Sequence, residues 1–119
     1  MRIQQRKHHD ECCKETLVLD EISNSIPDDD LLSNLAVFLK TFGDPTRIKI
    51  MYSLMKGDLC VADIASVTQV SQSAVSHQLR LLKQSMLVKS QRCGKNVIYS
   101  ISDTHVITIL EQAMTHICE

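Results

Sequence analysis

The spacing of apolar residues changes twice in the second half of this chain, and those changes limit the fold more than any other feature. Up to about residue 84, apolar side chains recur every three or four positions, in LLSNLAVFLKTF, PTRIKIMYSLMKG, VADIASV and QSAVSHQLRLLKQ. That interval gathers them on one face of an α-helix. From Leu87 the period falls to two. LVKSQRC and NVIYSIS alternate, and Gly94-Lys95 joins them, which is the pattern of a β-hairpin. The final stretch, DTHVITILEQAMTHICE, returns to the helical period. The expectation is a mainly α fold carrying one β-hairpin.

Punctuation sharpens the boundaries. Asp28 to Asp30 supply negative charge for a helix start, and Gly43 ends that helix. Asp44 caps the next helix with Pro45 in its first turn. That helix is expected to bury Ile48, Met51, Tyr52 and Met55 and to stop at Gly57. TQVS reads as a turn, and Ser71 as the cap of the helix that follows. There Ala74, Val75, Leu79 and Leu82 should face inward, with Gln72, Ser73, Ser76, His77, Arg80 and Lys83 outward. Residues 1–27, closed by Pro27, read as an arm, helical around Glu15 to Ile22. Residues 28–119 read as one domain, a size that can bury a modest core.

No apolar run approaches the roughly 18 residues that span a bilayer, and the amino terminus has no apolar stretch after its basic residues. The expected compartment is therefore the cytoplasm, where thiols stay reduced. Five cysteines, an odd number, then point to metal or redox chemistry and away from a disulfide framework.

The formal net charge of −1 hides an asymmetry. No acidic residue lies between Asp63 and Asp103, whereas Arg80, Lys83, Lys89, Arg92 and Lys95 all do. A basic patch on a nearly neutral chain suits phosphate binding. With 3% aromatic residues and no Trp, base stacking on a single strand is disfavoured, leaving the double helix. Two short helices joined by a tight turn suggest a helix-turn-helix. Gln72, Ser73, Ser76 and His77 open its second helix and are of types that reach base edges in a major groove. Arg80 and Lys83, further along, better suit phosphates. Lys89, Arg92 and Lys95 make the hairpin a basic wing. The bland alternative, a wet helix face, accounts for any one of these residues but poorly for all of them together.

DPTRIKIMYSLMKGDLCVADIA and SQSAVSHQLRLLKQSMLVKSQRCGKNVIYSIS together resemble the ArsR/SmtB family of winged-helix, metal-responsive repressors, from about residue 33 to the end. The resemblance implies a winged helix-turn-helix homodimer. It would bind operator DNA, a double-stranded inverted repeat, and release it when metal binds.

The last helix then acquires a meaning. His105 and His116 are eleven residues apart, about 16 Å of helix, too far to share one ion. Eleven steps of about 100° nevertheless return both rings to one face. Glu119 follows His116 by three, and Asp103 sits at the cap beside His105. Crossed against a copy of itself about a two-fold axis, the helix brings Asp103 and His105 of one chain to His116 and Glu119 of the other. Two imidazoles and two carboxylates suit tetrahedral zinc, with cobalt or nickel also compatible. Zinc sensors of the family resemble this helix at all four positions.

A second ligand set is carried by the resemblance. Cys60 and Asp63, at i and i+3, can share a helix face. The family places a metal site there, completed from the amino-terminal arm, where His8, His9, Cys12 and Cys13 are the candidates. Members tuned to cadmium or lead carry a further cysteine where this chain has Ala62, so the zinc branch is the nearer likeness. Cys93 and Cys118 read as structural or incidental. Rival readings are a cadmium or lead sensor built on Cys60, and a thiol-redox switch using Cys12, Cys13 or Cys60. An enzyme is not expected, because HExxH, a Gly-rich phosphate loop and a nucleophile–base pair are all missing from the sequence.

Overall fold

A computed structural model describes residues 14–119, and its packing divides the chain after Leu35. The first unit holds α1 (Thr16–Ser25) and the opening of α2 (Asp29–Thr41). Asp28 caps α2 by accepting the backbone N–H of Leu31 at 2.8 Å. Every side chain from Lys14 to Leu35 is exposed, including the apolar Leu17, Ile22, Leu31 and Leu35.

The second unit begins with the last turns of α2. It continues through α3 (Pro45–Met55), β1 (Leu59–Cys60), α4 (Val61–Thr68), α5 (Gln72–Gln84), β2 (Val88–Cys93), β3 (Asn96–Ile101) and α6 (Thr104–Cys118). The caps fall where the sequence puts them. Asp44 accepts from the N–H of Arg47 with Pro45 at the first helical position, and Ser71 accepts from the N–H of Ala74. The hairpin closes with Cys93 opposite Asn96. Gly94 has φ 63° while Lys95 does not enter the positive region, so glycine stands where a type II′ turn requires it. The turns on either side of α5 place Gln69 and Met86 in the left-handed region without a glycine's freedom.

One strand is missing from the sequence reading. β1 pairs antiparallel with β3, Leu59 with Tyr99 and Cys60 with Ile98, giving the sheet order β1-β3-β2. Two residues are too short to show an alternation. As a result Cys60 lies on the sheet edge as the residue before α4, not within the helix.

The core collects Ile50, Met51 and Leu54 of α3, Ile64 of α4, and Val75, Leu79 and Leu82 of α5. Leu87, Val88, and Val106 and Leu110 of α6 complete it. Each such side chain contributes about 1.5–3 kcal/mol on burial. The packed face of α3 differs from the expectation: Met51 is buried, but Ile48, Tyr52 and Met55 are half-buried at the rim. Apolar side chains spread over more than half the circumference of α3, so its own pattern does not say which of them face the core. The neighbouring α4, α5 and β3 choose it. Among the described residues no helix is long and apolar enough to cross a membrane.

Candidate DNA-reading surface and metal-ligand positions

Helix α5 is amphipathic in the way a reading helix needs. Val75, Leu79 and Leu82 anchor it with no exposure, while Gln72, Ser73, Ser76, His77 and Arg80 are exposed. Lys83 is exposed too, but its Nζ donates to Ser90 Oγ on β2 at 2.7 Å. It therefore ties the helix to the wing instead of reaching freely outward. Lys89, Arg92 and Lys95 are exposed on the hairpin. Among the described residues no carboxylate pairs with any of these cations. The patch is thus available to phosphates, and binding through it should weaken with salt.

Sequence reasoning passed over Arg47 and Gln78. Arg47 Nε donates to Gln78 Oε1 at 2.9 Å, and its Nη1 donates to the carbonyl of Thr41 at 3.3 Å. A contact between side chains 31 positions apart has no periodic trace. The only local hint was an arginine just behind the Asp44 cap.

Of the candidate ligands, Asp103 and His105 come together. Asp103 caps α6: its Oδ1 accepts the backbone N–H of His105 at 2.8 Å and stands 3.0 Å from His105 Nδ1. The ring is 89% exposed, so the pair is open to a metal on its outer side. Oδ1 and Nδ1, 3.0 Å apart on exposed side chains, can serve as neighbouring ligand atoms of one ion. His116 and Glu119 lie exposed at the far end of the same helix. Nothing from Glu111 onward is buried, and Met114 and Ile117 are 44% and 76% exposed. Cys60 is half-buried, its side chain making no capping hydrogen bond, and Asp63 is exposed in the first turn of α4. His8, His9, Cys12 and Cys13 lie outside the described residues. Among the described residues no three His, Cys, Asp or Glu side chains of one chain converge on a point. A four-ligand metal centre at α6 must therefore draw on more than these residues of a single chain.

Known proteins resemble this chain in sequence and in fold. Residues 44–90 match the family model described as bacterial regulatory protein, arsR family. A transcriptional repressor SmtB homolog of Synechocystis is 42% identical over 90 residues, 76% of this chain and 68% of that protein. A cadmium resistance transcriptional regulatory protein CadC homolog of Staphylococcus aureus is 37% identical over 108 residues, 87% of this chain and 89% of its own length. Among solved structures, a homodimeric winged helix-turn-helix DNA-binding domain from Mycobacterium bovis superposes with a TM-score of 0.71. It is 26% identical and covers 80% of this chain and 91% of its own.

Proposed function

This chain belongs to the ArsR family of bacterial regulatory proteins, and on that premise we propose that it is a homodimeric repressor which leaves its operator when zinc binds. The observation that carries the reading is the Asp103–His105 pair, held at one exposed tip of α6 while His116 and Glu119 stand exposed at the other. The donor set fits: two imidazoles and two carboxylates, all at the surface, none committed to a core. In the dimer, Asp103 and His105 of one copy face His116 and Glu119 of the second, giving two equivalent sites. Bound there, zinc would supply a crosslink between the two α6 helices.

The rest is done by the chain itself. Val106 and Leu110 fasten α6 to the core that also holds α5, so the angle between the two copies of α6 governs the distance between the two reading helices. An inverted repeat presents its half-sites about 34 Å apart and tolerates little change in that distance. Only a difference in metal affinity between the two dimer shapes can shift the balance, and the effect is reciprocal. A coupling of about 1–3 kcal/mol weakens operator binding roughly 5–150-fold. The expected experiment is a zinc titration of operator-bound protein followed by fluorescence anisotropy. The signal falls for the wild type and holds steady for His116→Ala. A wild-type signal that zinc leaves unchanged rejects the reading.

A second reading has one observation in its favour. Cys60 sits at the sheet edge with no capping bond, three positions before exposed Asp63, and a relative named for cadmium resistance spans 87% of this chain. Under that reading Cys60→Ser abolishes the metal response and His105→Ala spares it.

A further inference from the structure

Buried leucines are not all that holds α5. Arg47, the third residue of α3, gives its backbone N–H to the Asp44 cap at 3.0 Å and sends its side chain to two other elements. Nε reaches Gln78 in the middle of α5, and Nη1 reaches the carbonyl of Thr41 at the end of α2. That carbonyl belongs to the last turn of α2, which cannot satisfy it internally. The carbonyls of Leu39 and Lys40 before it already accept from Phe42 and Gly43.

A second contact lies alongside. Thr41 Oγ1 donates to the Val37 carbonyl at 3.3 Å, and Ser85 Oγ, at the end of α5, is 3.3 Å from the same hydroxyl. Each hydroxyl can donate or accept, so the Thr41–Ser85 pair can form in either direction. Helix α5 is thus pinned at its middle and its end to the close of α2. A guanidinium suits the work, because its planar fork fixes direction as well as distance. It also fixes Gln78: a group that can only donate holds the amide by its oxygen.

We propose that Arg47 is a positioning residue for operator recognition. By bridging Thr41 and Gln78 it sets the angle at which α5 presents Gln72, Ser73, Ser76 and His77. The lever arm is short but sufficient. Six residues separate Gln78 from Gln72, about 9 Å of helix. A tilt of roughly 10° about Gln78 moves the tip by about 1.5 Å, enough to break a hydrogen bond to a base edge. The proposal rests on the DNA-binding reading given above and adds to it a residue that touches no DNA.

The test uses metal-free full chain and two duplexes. One is the duplex that the wild type selects from a random-sequence pool, and the other is its scrambled counterpart. Arg47→Met, Gln78→Leu and the double variant are compared below their melting temperatures. Each single variant should lose about tenfold or more on the selected duplex and nothing on the scrambled one, since phosphate contacts are intact. The slope of log affinity against log salt should stay the same. The double variant should lose no more than the worse single one, because both cut the same bond. Additive losses would show that each side chain meets the DNA itself. Equal losses on both duplexes with a shallower salt slope would make Arg47 a phosphate contact. Either outcome, or no loss in either single variant, overturns the proposal. If Arg47→Met does not fold, Arg47→Lys, which keeps the charge and loses the fork, takes its place in the cycle. A wild type that selects no duplex would instead sink the DNA-binding reading, and the proposal with it.

Discussion

Asp103 has two jobs that a single substitution can separate. It caps α6 through the N–H of His105, and it stands beside the His105 ring. Ser is as good a cap as Asp but a poor zinc ligand. Asp103→Ser should therefore leave the melting temperature close to wild type while the zinc response is lost. Asp103→Ala should lose the zinc response and also about 1 kcal/mol of stability, the ordinary value of a cap. Calorimetry beside the anisotropy titration separates the two. A serine variant that still answers zinc would remove Asp103 from the metal-binding set. The cap was legible in the sequence because Asp before an apolar-periodic run is a local signal. The ring contact was legible for the same reason, with the partners only two positions apart. Arg47 and Gln78 were not, since their meeting depends on how α3 and α5 pack.

Among the elements, α6 is the least self-sufficient. Its first half is pinned by Val106 and Leu110, and Tyr52 Oη donates to the Leu110 carbonyl at 3.4 Å. From Glu111 to Cys118 the helix projects without a buried side chain. Isolated turns of this length are marginal in water, and on the homodimer reading a second copy supplies their order. Backbone amides of Glu111 to Cys118 should exchange rapidly in dilute protein and gain protection as concentration rises through the dimerisation range. Protection independent of concentration would mean that the helix stands without a partner. The sequence disclosed this helix and its stripe, including the matched faces of His105 and His116. It did not disclose that half the stripe has no core of its own to meet. The period of a helix says which residues share a face, not how far along that face the core extends. The same limit explains α3, whose packed face was set by its neighbours, and β1, too short for any period.

At the scale of the whole molecule, the sequence and the fold point the same way. A basic reading helix and wing lie on a chain whose carboxylates lie elsewhere, and candidate ligands stand at both ends of the closing helix. On the reading above, each metal site is shared between two copies. Mixing two defective variants puts this to the test. A homodimer of His105→Ala lacks one imidazole at both sites, and so does a homodimer of His116→Ala. After unfolding and refolding together, half of the dimers carry one chain of each kind. In these one site loses both imidazoles and the other is intact. The mixture should take up about one tightly bound zinc per four protomers more than either variant alone. A mixture that binds no more zinc than its components would contradict it.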